Sequence, residues 1–385
     1  PKPERREREP RPEPRARAKE VRVVEKPAAP VGPPPKPLIR IPDDAPQVVV
    51  RAGLPTLVRK GRVYPPIAFC GSAPDEARAR TVLEEVRLAG EAGVHVHSIL
   101  VDVEVDLAAV DGSVAFAAYM LAQILKADPQ AQVLFRLVFL APPNWTDQYA
   151  DARYHAANGA LGDPSVCDDQ FWSVARECLA RFCRQMRMLD ARDHILGVHL
   201  ERGEWFFGED WGYDNSPAAK TKFRLWARHR YQNDEVALRA AWFDGSASFN
   251  SLQIPNYRQP REAGEKFVRS SRRERRWVDY HLFLSDATVE RIGDLAYAAK
   301  EASEGYFLVG VSYGYTFEWS HPGSGHLSLG KLLRLHEIDF IAGPPSYRSR
   351  EPGRAAPFPC PVDSFSLKGK LYLSEEDFKT SSGDR

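Results

Sequence analysis

The chain has 385 residues, of which 43% are hydrophobic, so it can form one large domain or two ordinary ones around a substantial core. Its 53 Lys and Arg residues balance 52 Asp and Glu residues, and the formal net charge of +1 gives no sign of a nucleic-acid or acidic-membrane partner. We therefore expect a neutral substrate, no nucleic acid and no membrane.

Residues 1–37 are predicted to be a disordered linker. The segment mixes Pro, Glu, Arg, Lys and Ala and has few apolar side chains, so burial cannot offset the entropy that ordering would cost. It has no apolar signal core and no initiator Met, and no later run reaches the roughly 20 apolar residues that cross a bilayer. We interpret the chain as a piece of a longer protein, and the sequence leaves its compartment unknown.

A β-hairpin lead-in is predicted over residues 38–63, because two runs rich in β-branched residues flank a turn at Gly53. Over residues 64–385, apolar strand patterns alternate with helical patterns. The predicted strands are Ile67–Cys70, Val94–Val103, Val133–Leu140, Ile195–Leu200, Tyr306–Val311, Ile338–Ile341 and Leu371–Leu373. The helices predicted between them are Pro74–Ala89, Val114–Lys126, Phe171–Met188, Lys220–Gln232 and Trp277–Ala302.

Strands separated by helices predict parallel pairing with right-handed crossovers, so the fold class is α/β. The choice is between a doubly wound sheet and a (β/α)8 TIM barrel. Aromatic and polar residues follow several successive strands, and a barrel gathers such loops into one pocket, whereas an open sheet concentrates its ligand at one switch point. The pattern favours a TIM barrel that lacks strand 8 within this chain, so further domains or another segment are expected to complete it.

Two glutamates follow predicted strands. Glu204 comes shortly after the fourth strand and Glu375 after the seventh. Because the C-terminal ends of barrel strands lie on one face, these two carboxylates can flank one bond. Glycoside hydrolysis uses such a pair, one protonated and one ionised, and a separation of about 5 to 5.5 Å gives retention of the anomeric configuration. The sequence therefore favours a glycosidase site.

Several motifs resemble glycoside hydrolase family 42, the β-galactosidase family of the retaining (β/α)8 glycosidases. They include Phe223-Arg224-Leu225-Trp226, Arg230-Tyr231-Gln232, Asp279-Tyr280, Pro345-Ser346-Tyr347 and Glu375-Glu376-Asp377-Phe378-Lys379-Thr380. The resemblance covers roughly residues 58 to 380 and is strongest after Ile195. It implies a carbohydrate substrate, cleavage of a β-glycosidic bond in a β-galactoside, another β-glycoside or a polysaccharide, and a double-displacement mechanism that needs no cofactor and no metal.

The resemblance implies that Glu204 is the acid/base and Glu375 the nucleophile. Glu376 stays a second candidate for the nucleophile, and Glu375 is favoured because it aligns with the family pattern Glu-x-Asp-x-(Arg/Lys)-Thr. Glu201 is expected to face away from Glu204 if the strand stays regular, since side chains alternate along a strand. Typical members have Asn at the position of Gly203.

Seven further residues are predicted to bind the substrate. Aromatic rings would offer flat faces to sugar C–H groups, while an arginine and an asparagine would bind hydroxyl groups. The arginine lies within an apolar strand, so we expect it to meet a carboxylate inside the barrel, near the nucleophile. The set is Arg136, Asn144, Trp145, Trp205, Tyr313, Trp319 and Tyr347.

Two other functions remain open. A non-catalytic carbohydrate-binding or scaffolding barrel is favoured by Gly203 and by the missing eighth strand, whereas the retention of both glutamates argues against it. A Ser esterase is the remote alternative, because residues 310–314 match the Gly-x-Ser-x-Gly elbow around Ser312. The order of its partners is wrong, since Glu318 is the only acid between Ser312 and the last histidine. A metal site at His95 and His97 lacks a third ligand.

Overall fold

The computed structural model describes residues 37–65, 67–73, 76–201, 213–256, 274–317, 325–344 and 357–375. Its strands, in chain order, are β1 (Gln47–Arg51), β2 (Leu54–Arg59), β3 (Arg62–Val63), β4 (Phe69–Gly71), β5 (Val96–Glu104), β6 (Gln132–Leu140), β7 (Arg153–His155), β8 (Leu161–Pro164), β9 (Ile195–Leu200), β10 (Leu308–Ser312), β11 (Phe340–Gly343) and β12 (Leu371–Ser374). Seven of them form one parallel sheet in the order β4-β5-β6-β9-β10-β11-β12. The sheet curls into a TIM barrel to which the described residues contribute seven strands.

The helices are α1 (Glu76–Glu91), α2 (Val110–Ala127), α3 (Trp145–Gln148), α4 (Asp169–Arg187), α5 (Pro217–Arg230), α6 (Glu235–Trp242), α7 (Arg275–Ala302), α8 (Leu329–Leu332) and α9 (Val362–Leu367). The longer ones connect successive barrel strands and cover the outside of the sheet. Helix α4 shows why they form: its apolar residues recur at spacings of three and four and are buried. The Asp168 side chain caps its start by accepting from Phe171 N at 2.7 Å. None of the described helices combines the length and hydropathy needed to cross a bilayer.

The antiparallel sheet β1-β2-β3 packs against the amino-terminal end of the barrel. Side chains near the start of five barrel strands form a cluster with Tyr64, and apolar residues from β1, β2 and β12 pack on it. Arg59 anchors β2 to the barrel: its guanidinium is 5% exposed and donates to Gln132 Oε1 at 3.1 Å, to the Asp193 carbonyl and to the Tyr306 hydroxyl. The amino-terminal end of the barrel is therefore packed with side chains, which leaves the opposite end for a site.

A register shift in β9 decides which of its side chains face the barrel interior. Leu196 packs inside the barrel, whereas Ile195 and Val198 both belong to the core between sheet and helices. The pairing with β6 shifts by one residue at this point, so the alternation changes phase. Gly197 allows the shift: its φ is 157°, and a Cβ there would stand 2.0 Å from the Leu308 carbonyl oxygen. After the shift, His199 and the residue that follows β9, Glu201, share the interior face.

Helices α5, α6 and α7 meet around a buried carboxylate. Asp279 is fully buried and lies 2.9 Å from Arg275 Nε and 3.3 Å from Arg230 Nε. Tyr231 Oη donates to it at 2.5 Å and Trp242 Nε1 at 2.9 Å. Most of these side chains belong to the motifs that resemble family 42. They act here as the polar centre of a helix interface.

The predicted fold class is confirmed: the sheet is parallel, sequential and curled, as in a TIM barrel. Each predicted strand is present with its bounds displaced by two residues or fewer. The lead-in contains an antiparallel hairpin, β1–β2, to which β3 adds a third strand. The β7–β8 ribbon and helix α6 were not predicted. The proposed linker, apart from Pro37, lies outside the described residues.

Candidate active site

Glu375 directly follows the last described strand, at the carboxyl end of the barrel. It shares its side of β12 with Leu371 and Leu373, which pack on the apolar cluster around Tyr64, while Tyr372 packs on the core outside the sheet. Its backbone N donates to the Gly343 carbonyl at 3.0 Å, which continues the pairing with β11 beyond the strand end. The side chain is 27% exposed, so the carboxylate is accessible from the barrel opening.

His199 lies beside this carboxylate. Its Nδ1 is 4.0 Å from Glu375 Oε1, and its Nε2 is 3.0 Å from Ser312 Oγ on β10. The imidazole is 1% exposed and packs edge-on against Phe340, with ring centroids 5.6 Å apart. Burial, with a smaller effect of the Arg136 charge, lowers the pKa of His199 to about 3. The ring is therefore neutral at ordinary pH.

Arg136 on β6 forms an ion pair with Glu201. Its Nη1 lies 3.0 Å from Glu201 Oε2, and its Nη2 donates to the Gly71 carbonyl at 2.9 Å. The sequence predicted that Arg136 meets a carboxylate inside the barrel. This carboxylate is that of Glu201, not that of Glu375. Burial raises the pKa of Glu201 despite the opposing effect of Arg136. Glu201 is 27% exposed, so it also faces the barrel opening.

Cys70 on β4 lies near the same group of charges. It is opposite Ser98 of β5, and the charges of Arg136, Glu375 and Glu201 contribute to the pKa of its thiol. Cys70 is exposed, and partial desolvation by the surrounding strands raises the pKa of its thiol above the usual value, so the thiol is protonated at neutral pH. The described part of the interior therefore brings Glu375, His199, Glu201, Arg136 and Cys70 together. We call this group the interior cluster of the candidate site.

Four of the predicted site residues lie outside the described residues. They are Glu204, Trp205, Trp319 and Tyr347, and the alternative nucleophile Glu376 lies outside as well. Their assignment stays a prediction from the sequence. Asn144 is described: it is exposed and immediately precedes α3, without a side-chain capping bond.

The structure places two of the predicted aromatic residues in buried positions. The Trp145 ring is 9% exposed and packs against Phe171, with centroids 5.1 Å apart. Tyr313 is fully buried, stacks on His326 at 4.7 Å, and donates its hydroxyl to the Gly325 carbonyl at 2.7 Å. Both rings follow barrel strands, as predicted, and both pack in the core, because an aromatic ring at a strand end can fold back between the sheet and its loops. Their role in sugar binding stays a prediction.

Sequence reasoning did not single out His199, Ser312 as its partner, Glu201 as the partner of Arg136, or Cys70. The sequence held one indication: the polar residues His199 and Glu201 are two positions apart, with the apolar Leu200 between them. This pattern places two polar groups on one face of an otherwise apolar strand. It could have marked them as a pair, although their face depends on the register shift at Gly197.

The two rival motifs have structural roles in the described part of the chain. Ser312 is the last residue of β10, is 1% exposed, and is followed by turns instead of the helix that a nucleophile elbow requires. His95 Nδ1 and His97 Nε2 both bind Asp128, each at 2.9 Å. No group of three His, Cys, Asp or Glu side chains that could hold a metal is found among the described residues.

A separate cavity of about 770 Å³ lies between the segment 147–152, the start of α4 and the start of α5. Asp147, Asp151, Asp168 and Asp169 line it, and Lys222 forms an ion pair with Asp169 at 2.5 Å. None of the interior cluster lines this cavity. Among the described residues, its lining is therefore separate from the interior cluster.

Comparisons with known proteins identify the fold. No family model and no curated protein sequence matches the chain. Among solved structures, the catalytic domain of the β-amylase from Paenibacillus polymyxa matches with a TM-score of 0.61 and 12% identity, over 82% of this chain and 86% of that one. The β-galactosidase from Bacillus circulans sp. alkalophilus matches with a TM-score of 0.54 and 16% identity, over 74% and 41%.

The β-galactosidase from the psychrophilic Marinomonas ef1 also matches, with a TM-score of 0.53 and 14% identity, over 74% of this chain and 42% of that one. The chain thus spans about two fifths of the length of these two β-galactosidases. At such identities the likeness establishes the fold. The chain thus has a barrel fold similar to that of these two β-galactosidases and of the β-amylase catalytic domain.

Proposed function

We propose that this barrel belongs to a retaining glycoside hydrolase that cleaves a β-glycosidic bond, with Glu375 as nucleophile and Glu204 as acid/base. One observation carries the proposal: the Glu375 carboxylate stands at the carboxyl end of the seventh barrel strand, on the interior face, and is accessible. Catalytic residues of TIM-barrel enzymes lie at these strand ends. The match to two β-galactosidases and a β-amylase supports a carbohydrate substrate.

The proposed reaction has two displacements. Ionised Glu375 attacks the anomeric carbon while protonated Glu204 gives its proton to the departing glycosidic oxygen. Glu204, now ionised, takes a proton from a water molecule, which attacks the glycosyl–Glu375 ester and releases the sugar with its original anomeric configuration. The Arg136–Glu201 pair holds a fixed charge arrangement beside the reacting sugar, with both partners on the interior side of their strands.

Trapping of the glycosyl enzyme tests the nucleophile directly. The probe is a 2-deoxy-2-fluoro-β-galactoside with a good leaving group. Its fluorine slows both displacements, but the leaving group keeps the first one fast enough, so the covalent intermediate accumulates. We expect the protein to gain the mass of one fluoroglycosyl unit, and peptide sequencing by mass spectrometry to place it on Glu375. Labelling of Glu376 instead would move the nucleophile by one residue, and labelling elsewhere would contradict the assignment.

Azide rescue separates the roles of the two glutamates. In Glu375→Gly, azide can occupy the nucleophile's space and gives a glycosyl azide of inverted configuration. In Glu204→Gly, azide attacks the glycosyl enzyme and gives a product of retained configuration. Glu376→Gly is the matched control, and we expect it to hydrolyse aryl β-glycosides without azide. The anomer formed first by the wild-type protein, followed by NMR, distinguishes retention from inversion.

The sugar is to be found by a screen of aryl β-galactosides, other aryl β-glycosides and polysaccharides. We expect β-galactosides to be cleaved, because two matched structures are β-galactosidases and the sequence motifs resemble that family. A protein that binds these sugars without hydrolysing them would instead be a non-catalytic carbohydrate-binding barrel. In that case Glu375→Gln would have no hydrolysis to abolish.

A further inference from the structure

We propose that His199 is a positioning residue for Glu375: its Nδ1–H donates to the Glu375 carboxylate, while its Nε2 accepts the Ser312 hydroxyl. The inference rests on the proposed function of Glu375 as a nucleophile. It adds that the neighbouring strands β9 and β10 orient this carboxylate and favour its ionised form.

The direction of the two contacts follows from which groups can donate. The His199 ring is neutral, because burial lowers its pKa to about 3, so it carries a single N–H. An ionised carboxylate can only accept, whereas a serine hydroxyl can donate or accept. Nδ1 faces Glu375 Oε1 at 4.0 Å, and Nε2 lies 3.0 Å from Ser312 Oγ. Placing the proton on Nδ1 satisfies both neighbours, while placing it on Nε2 would direct a lone pair at the carboxylate.

The ring is held in this orientation by its surroundings. His199 is 1% exposed, Phe340 packs against it edge-on, and β9 is paired on both sides, with β6 and β10. The 4.0 Å contact is about 1 Å longer than a hydrogen bond. Glu375 follows the strand end and is 27% exposed, so its side chain has room to close this gap. Catalytic hydrogen bonds are often long before substrate binds.

Three other ionisable groups of the described residues lie in this part of the barrel interior. Arg136 on β6 is bound to Glu201 of β9 and to the Gly71 carbonyl. Cys70 on β4 is protonated, since partial desolvation raises its pKa. Asp102 on β5 acts on Glu201. Among the described residues, His199 is the group placed with a ring nitrogen facing the Glu375 carboxylate, and the proposal rests on this geometry.

Two isosteric variants separate the nitrogens. The amide nitrogen of Asn reaches the place of Nδ1, and that of Gln reaches the place of Nε2. His199→Asn can therefore keep a donor toward Glu375, whereas His199→Gln keeps the contact with Ser312 and loses that donor. We expect His199→Gln to lower kcat/KM by roughly 10- to 100-fold, the size of one hydrogen bond to a charged group. Its acid limb should move to higher pH, because the ionised nucleophile loses a donor.

We expect His199→Asn to keep an acid limb close to that of the wild type, and Ser312→Ala to show a smaller shift of the limb than His199→Gln. Equal losses in His199→Asn and His199→Gln with unchanged pH profiles would show that His199 only fills space, and would overturn the proposal. If the wild-type protein shows no hydrolysis, the proposed function fails by itself, and the imidazole is then examined without activity.

That examination uses ¹⁵N-labelled histidine in the wild-type protein. Long-range ¹H–¹⁵N correlation spectra report which ring nitrogen carries the proton, and His199→Gln identifies the signal. We expect the Nδ1–H form, with its proton exchanging faster in Glu375→Leu, where the acceptor is gone. An Nε2–H form in the wild type would refute the proposal, whatever the kinetics show.

Discussion

Replacement of Gly197 by Ala is expected to damage the barrel at the point that sets the interior face of β9. A Cβ at this position would stand 2.0 Å from the Leu308 carbonyl oxygen and 2.5 Å from its backbone nitrogen. Both atoms belong to the backbone of a buried strand, so no side-chain rotation relieves the clash. The strands β9 and β10, which pair from Leu308↔Gly197 to Val311↔Leu200, must move apart.

The cost can be worked from these contacts. Losing about two backbone hydrogen bonds costs about 2 to 3 kcal/mol, and repacking two buried strands adds about 1 to 3 kcal/mol. We therefore expect the free energy of unfolding to fall by roughly 3 to 6 kcal/mol, a large part of the 5 to 15 kcal/mol that is typical of folded domains. Urea unfolding followed by circular dichroism measures the change.

Gly112→Ala in α2 is the matched control. Nothing lies within 4 Å of the added Cβ, and Ala is the better helix former, so this variant should be as stable as the wild type or up to about 1 kcal/mol more stable. If Gly197→Ala unfolds at the same urea concentration as the wild type, the register shift does not depend on glycine and the reasoning is wrong. If Gly197→Ala folds with reduced stability, His199 and Glu201 should no longer both face the barrel interior, and any hydrolysis should be slower.

Three further predictions follow from buried or shifted groups. Asp279→Ala should lower the free energy of unfolding by about 3 to 5 kcal/mol, because two arginines and the Trp242 N–H lose their acceptor. Asp279→Asn still accepts from Trp242 and should lose less stability. Equal losses in the two variants would contradict this prediction. The Tyr306 hydroxyl and Lys60 lower the pKa of Asp193 from 3.8 to about 2. The ionised carboxylate therefore stabilises the fold above pH 3.8, and this stabilisation is lost as the pH falls through about 2. Because the carboxylate is half exposed, we expect about 1 kcal/mol, measured as a difference in stability from Asp193→Asn that disappears on acidification. Tyr313→Phe should lower the free energy of unfolding by about 1 to 2 kcal/mol, because the hydroxyl donates to the Gly325 carbonyl, and should leave KM unchanged. A large rise in KM would instead indicate that the Tyr313 hydroxyl contacts the sugar.

The sequence was most informative about the barrel strands, because buried parallel strands are continuous apolar runs separated by strongly periodic helices. The β7–β8 ribbon escaped because its strands have three and four residues and carry no clear alternation. The motifs that resemble family 42 contain residues that hold the fold together. Tyr231 and Asp279 connect helices α5 to α7 through a partly buried hydrogen bond.

The candidate site was predictable only in part. Glu375 could be located because it follows a strand end and belongs to a motif. The inward orientation of His199 and Glu201 could not, because a regular strand counted from Ile195 would turn both toward the helices, and the one-residue shift at Gly197 reverses this. A pattern of period two cannot show where the period is interrupted.

The small sheet that closes the amino-terminal end of the barrel has a consequence for how the protein is made. Val48 and Leu57 pack on a cluster that also contacts Leu371 and Leu373, more than 300 residues later in the chain. On the ribosome, the lead-in strands emerge before the barrel strands, yet part of the surface that they cover is synthesised more than 300 residues later. Their docking must therefore wait for the seventh strand, and until then the apolar floor of the nascent barrel is open to solvent and to chaperones.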